Sequence, residues 1–334
     1  MAYGIRKLSK VQIGREGTPG TAIPATEIWR GPMTIPEDMR TRVFVDEDLG
    51  LRDPYARFYD AAYMAQLNMP STPATFEQLV HIFEAGIDTI DGAQDSAGGY
   101  VYAYVLNAAA NAVKTYTIEG GDNVDVVEME YSFVTQFALS GRVDEAVMLE
   151  SATWEGRQNT DTSFTGSLTP IAVEEILFNN CTFALDSTGG TIGTTPKAGT
   201  LTGFRLTVET GWRAVRGADG TLYFTDLKNV GGTAQLELTL EHDAIAAAER
   251  AFMRTGAVRL ARLEFAGSAI TGGATWTTKA LRLDFEGQWL PESFRTLSNE
   301  DGDNIVTGTL RHVRDIETDN VGVQLTVVNE RATL

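Results

Sequence analysis

The chain has 334 residues, 43% apolar and 22% charged, a globular composition with enough material for two cores. Its 45 Asp and Glu against 27 Lys and Arg give a net charge of −18, which excludes a general phosphate-backbone binder, because such proteins present Lys and Arg. One cysteine (Cys181) and three histidines (His81, His242, His312) exclude an internal disulfide framework and a thiolate-built metal site, and leave little material for a metalloenzyme.

In chain order, the first forty residues are polar and hold glycines and prolines. They are expected to form an arm that orders against a neighbour. The charged first ten residues lead into no apolar run, so no secretory signal is expected. No stretch approaches 18 apolar residues, so no spanning helix is expected either. Phe76, Leu79, Val80, Phe83 and Ile87 recur at helical spacing, with Thr72 as expected N-cap, Pro73 in the first turn and Gly86 as terminator. Val101–Val105 is rich in β-branched and aromatic residues and reads as strand. Val127-Glu-Met-Glu-Tyr-Ser-Phe133 alternates, with Val127, Met129, Tyr131 and Phe133 on one face and Glu128, Glu130 and Ser132 on the other. Phe204–Val208, Leu236–Leu240 and Leu281–Phe285 alternate likewise, and Val323–Val328 is a further strand candidate. Period two with one polar face predicts half-buried antiparallel strands. A second helix is predicted from an Asp243 cap through Ile245, Ala248, Phe252 and Met253 to Gly256. The fold class is mainly β.

An internal repeat accompanies these elements. Ala65-Gln-Leu67 and Ala234-Gln-Leu236 each precede a helical segment, and the segments end at Gly86 and Gly256. Thr165-Gly-Ser-Leu168 is echoed by Thr307-Gly-Thr-Leu310, and Asn179-Asn180 by Asp319-Asn320. The shared order argues for duplication, the first copy carrying about 28 extra residues between Asp91 and Gly121. Two tandem β-sandwich or barrel domains, each with a flanking helix, are expected at residues 1–186 and 200–334. The Gly- and Thr-rich segment 187–199 reads as their linker.

No pattern of catalytic residues emerges. Gly189-Gly-Thr-Ile-Gly193 lacks the Lys-Ser/Thr ending and following helix of a phosphate loop. The acidic stretches Asp46–Asp48 and Glu300–Asp303 miss calcium-loop spacing: Gly50 stands at a ligand position, and Glu317 is too distant to close the second loop. His81 and His242 have no partners at ligand spacing and suit packing or surface roles. There is no Gly-x-Ser-x-Gly and no His-Glu-x-x-His. The tryptophans Trp29, Trp154, Trp212, Trp276 and Trp289 with abundant acids leave one alternative, a carbohydrate-binding or hydrolysing β-sandwich with an acidic groove.

Leu8-Ser-Lys-Val-Gln-Ile-Gly-Arg-Glu-Gly-Thr-Pro-Gly-Thr-Ala22 resembles the opening of major tail tube proteins of long-tailed bacteriophages. Trp29-Arg-Gly31, Phe44-Val-Asp-Glu-Asp48, Tyr131-Ser-Phe133, Leu139-Ser-Gly-Arg142 and Gly302-Asp-Asn-Ile-Val306 continue the likeness along nearly the whole chain. The resemblance implies a virion structural protein of the duplicated, two-domain type, without catalytic residues, metal or cofactor. It implies domains whose inner sheets join around a lumen, so that three two-domain chains close a pseudo-hexameric ring. An N-terminal arm and a long hairpin loop would connect stacked rings. Implied partners are further copies of the chain and the tape measure, tail tip and tail terminator proteins. DNA in transit would be touched without specific binding, in a virion tail assembled in the host cytoplasm. An acidic lumen would hold the duplex off the wall, since a basic bore would bind it. The polar positions of alternating strands nominate Glu128, Glu130, Glu237, Asp284 and Glu286 as lumen-facing acids.

Overall fold

A computed structural model of the chain describes residues 3–32, 34–53, 55–300, 302–314 and 322–334. Asp301, Glu317 and the Asp319-Asn320 pair lie outside the described residues. Strands β1 (Lys10–Arg15), β2 (Glu27–Ile28), β3 (Glu37–Asp38), β4 (Thr41–Asp46), β5 (Tyr55–Ala62), β6 (Ala65–Met69) and β7 (Thr72–Pro73) lead to helix α1 (Leu79–Gly86). Next come β8 (Ala93–Gln94), β9 (Tyr100–Val105), β10 (Tyr116–Gly121), β11 (Val126–Arg142), β12 (Met148–Gly156), β13 (Gln158–Asp161) and β14 (Cys181–Ser187). β15 (Leu201–Glu209), β16 (Trp212–Val215), β17 (Asp226–Asn229) and β18 (Thr233–Glu241) precede helix α2 (Ala244–Thr255). β19 (Val258–Ala269), β20 (Thr278–Trp289), β21 (Arg295–Glu300), β22 (Asp303–His312) and β23 (Val323–Asn329) complete the chain. The fold is mainly β and the sheets are antiparallel.

The connectivity of the first half recurs in the second. In the first, β10 pairs with β1 and β11, β11 with β12 and β13, and β12 with β6 just ahead of α1. In the second, β19 pairs with β14 and β20, β20 with β22 and β23, and β22 with β18 just ahead of α2. β14 thus plays for the second half the part that β1 plays for the first. The recurring unit begins near Cys181, whereas the sequence suggested a boundary at 186–200. The Thr-Gly echo is a coincidence of letters: Thr307–Leu310 lies in β22, whose counterpart is β12, while Thr165–Leu168 lies outside any strand. The extra residues form β8 and β9, and β9 adds to the sheet of the second half by pairing with β23.

One hydrophobic core runs through both halves, from Val11 and Ile13 through Trp154 and Phe137 to Leu283 and Val327. The first forty residues are therefore not an arm that orders only against a neighbour, as expected, because part of them packs into this chain's own core. β1 is a core strand with Val11, Gln12 and Ile13 buried, as is Glu16 just beyond it. The segment before it is exposed, with Tyr3 and Ile5 on the surface. Gly14 has a packing reason: an added Cβ would lie 2.9 Å from the Pro24 carbonyl oxygen. Among the described residues the β4–β5 hairpin pairs only with itself, and it exposes Phe44, Tyr55 and Phe58, with the Phe44 ring meeting both of the others.

The two helices differ in their surroundings. α2 starts at Asp243, whose carboxylate accepts the Ala246 N–H at 2.8 Å, and stops at Gly256, with φ +68°. Both are local signals, the cap worth about 1 kcal/mol. α1 starts at Leu79, six residues beyond the predicted first turn, because Thr72–Pro73 are drawn into pairing with β12. Every residue of α1 is buried, whereas α2 buries only Ala246 and Glu249.

Candidate functional site: a polar sheet face with two open edges

Eight strands form one ladder in the order β3–β6–β12–β11–β15–β18–β22–β21. Along β18, Ala234, Leu236, Leu238 and Leu240 are buried while Thr233, Gln235 and Glu237 face out. The register carries this division sideways. Arg205 lies between Glu237 and Ser140, Thr207 between Gln235 and Ala138, and Glu209 between Thr233 and Gln136. Thr309 and Arg311 extend these rows into β22. At the far side, the Thr153 hydroxyl donates to Asn68 Oδ1 at 3.2 Å. Opposite residues of an antiparallel pair share a face, so the result is a continuous surface of hydroxyls, amides and charges.

The charge of this face is mixed. Arg205 Nε donates to Glu150 Oε2 at 2.6 Å, reaching across β11. Arg205 and Arg311 offset much of the charge of Glu150, Glu209 and Glu237. An open groove of about 500 Å³ lies here, lined in part by Arg142, Glu150, Arg205 and Glu237. Trp29, Trp154, Trp212 and Trp289 are buried, and Trp276 lies under the Arg282 guanidinium at 4.2 Å. No tryptophan lines the groove as a sugar platform.

Of the five acids nominated from the sequence, Glu237 alone lies on this face. Glu128 and Glu130 sit on the first half of β11, beside β13. Glu130 accepts bonds from Arg157 at 2.7 Å and Gln158 at 2.9 Å. Glu128 has no cation beside it among the described residues. Burial, then the nearby Glu119, Glu130 and Glu16, hold its carboxyl above the ordinary range. Asp284 and Glu286 are buried, contrary to expectation. Asp284 accepts two bonds from Arg262 at 2.6 and 2.8 Å. The segment after β14 crosses over Arg262, with Asp186 accepting the N–H groups of Gly193 and Thr194. A strand's polar positions reach water only where nothing covers that side, and here a loop does. The polar face was missed at Arg205 and Glu209, although the alternation in Phe204–Val208 already marked position 205 as outward.

Among the described residues, both ends of the ladder are open. β21 pairs only with β22 among the described strands, and its Leu297 is exposed with φ +65°, a strained conformation for a side chain of this size. At the other end, β3 pairs among the described strands only with Ala65 and Gln66 of β6. Between these ends, β11 and β15 join through register pairs from Gln136–Glu209 to Arg142–Gly203. β15 flanks β18 as β3 flanks β6, and β21 flanks β22 as β11 flanks β12. The open edges are thus the counterparts of the two strands joined inside the chain.

Ionisable groups also cluster inside. His81 Nδ1 lies 3.0 Å from Tyr116 Oη, and His81 Nε2 lies 3.3 Å from both Glu27 Oε2 and an Arg331 nitrogen. Arg331 pairs with Glu27 at 2.7 Å, Tyr116 donates to Glu84 at 2.6 Å, and Arg15 pairs with Glu84. These bonds tie β1, β2, α1 and β10 to the residues after β23. Among the described residues no three His, Cys, Asp or Glu converge as a metal site. Burial pushes the Cys181 thiol up to about 12, far from nucleophilic use. No protein-family model matches the chain, and no curated protein matches it.

Proposed function

We propose that the chain is a virion structural protein that joins head to tail into rings stacked as the tail tube of a long-tailed bacteriophage. The β11–β15 junction carries this reading: it joins two recurring units inside one chain, and the same two edges stand open at the ends. A second copy offering β3 and β6 to β21 would repeat the junction. Open strand edges otherwise invite uncontrolled association, and closure into a ring removes them. Such a contact is heterologous and generates rings or filaments, and a chain with two units would close with three copies.

In this reading the polar face lines the lumen. Hydroxyls, amides and balanced charges give DNA no basic stripe to grip, and the net charge of −18 keeps the duplex from adhering elsewhere. The β4–β5 hairpin and the exposed residues before β1 would connect successive rings. The protein would have no enzymatic activity and need no cofactor, would meet the tape measure, tail tip and terminator proteins, and would belong to a virion tail assembled in the host cytoplasm. Negative-stain microscopy of concentrated protein tests this: rings or tubes with a central hole are expected. Compact monomers with glycan affinity would favour a carbohydrate-binding protein instead.

A further inference from the structure

Resting on the ring reading, we propose that the exposed face of α2 is a second contact between chains, and that it receives the β13 edge of the next copy through Arg250 and Arg254 against Glu128 and Asp161. The argument begins with what covers α1. The second recurring unit supplies part of that cover, beside Arg15, Glu27 and Tyr116 of the first: Asn329 at the end of β23 donates to the Phe76 carbonyl at 2.8 Å, and Arg331 reaches His81. The inserted β9 adds Tyr104, whose hydroxyl donates to the Val80 carbonyl at 3.3 Å. Aligning Gly86 with Gly256 places Val80, His81 and Glu84 of α1 at Arg250, Ala251 and Arg254 of α2. All three α1 residues are buried and all three α2 residues are exposed.

The element that would cover α2 in the same way is the counterpart of β23, which is β13 of a following copy. Its charge fits. Arg250 and Arg254 have no acidic partner among the described residues. The β13 edge is acidic, with Asp161 exposed and, opposite Thr160 on the paired strand, Glu128 half-buried without a cation. α2 lies beside β20, which leads into the open β21, and β13 lies near β3. Helix and edge therefore belong to one side of the chain, and their two receivers to the other.

Charge reversal in the full-length chain tests the contact. Arg250→Glu with Arg254→Glu forms one variant, Glu128→Lys with Asp161→Lys a second, and all four together a third, each checked for wild-type folding by circular dichroism. Assembly is followed by sedimentation and negative stain. Each pair alone should raise the concentration needed for ring formation at least about tenfold, and the four together should restore it to within about threefold. Folded pairs that assemble like wild type, or a quadruple variant that stays defective, overturn the contact and leave the ring reading standing. A wild-type chain that stays monomeric at every concentration overturns both.

Discussion

The backbone N–H of Tyr131 donates to Glu16 Oε1 at 2.8 Å, and Tyr131 is held at φ +53°. That pair sets the course of the longest strand. Residues 131–134 of β11 are all buried, breaking the alternation before them. The strand leaves β10 and β13 behind and enters the ladder between β12 and β15. Glu16 also accepts from Gly20 N, Thr115 Oγ1 and Thr117 Oγ1. Glu16→Ala would orphan several buried donors at once and should cost about 3 kcal/mol or more. Urea denaturation checks this, and a variant as stable as wild type would remove Glu16 as the organiser of the bend.

Truncation separates arm from core. Removing residues 2–8 should leave a folded chain, because none of its described residues, 3–8, is buried. Removing 2–30 deletes β1 and β2 with Val11, Ile13 and Trp29, and should abolish the cooperative melt. The loss far exceeds the several kcal/mol by which such a chain is stable.

Acid stability should depend on Arg331. Burial acts to raise the Glu27 carboxyl, but hydrogen bonds and charge from His81 and Arg331 hold it below the ordinary range. A carboxylate lowered on folding adds stability above its unfolded value and loses it as pH falls through its folded value. Wild type should therefore lose this contribution below about pH 4.5, the ordinary value. Arg331→Met should be less stable at pH 7 and approach wild type in acid. Parallel denaturation curves at pH 7 and pH 3 test it.

Glu128 has the opposite sign. Its raised carboxyl makes the charged form unfavourable in the fold, a cost that is absent in acid and appears as pH rises through the folded value. In isolated chains Glu128→Gln should raise the melting temperature at pH 7 but not at pH 3. Solvent screening at this half-exposed site limits the gain to less than about 1 kcal/mol.

If the polar face lines the lumen of a tail tube, as proposed, its charge should govern passage of DNA. Glu209→Lys with Glu237→Lys would turn its balanced rows basic beside Arg205 and Arg311. Virions built with that chain should assemble but deliver their genome slowly, most of all at low ionic strength, where screening is weakest. Normal delivery at low salt would remove these rows from the lumen.

What could be read from the sequence was local. The ends of α2 were legible in Asp243 and Gly256, because a cap and a left-handed glycine act within one turn. The strands at 204–208, 236–240 and 281–285 were legible from alternation. Their surroundings were not, since Asp284 is buried through Arg262 and a loop nearly a hundred residues earlier. The bend at Tyr131 was hidden for the same reason, its cause lying at Glu16. Of the candidate site, Glu237 was found and its neighbours Arg205 and Glu209 were not, because register between distant strands has no signature in either strand alone.

The pairing of β9 with β23 has a consequence for synthesis. Tyr102 Oη reaches the Arg331 carbonyl across 229 positions of chain, so a growing polypeptide exposes β9 until β23 has emerged. Contacts this remote slow folding, and an uncovered strand edge meanwhile invites pairing between nascent chains. On crowded polysomes that edge is a site for aggregation, and the docking of β23 onto β9 closes the window.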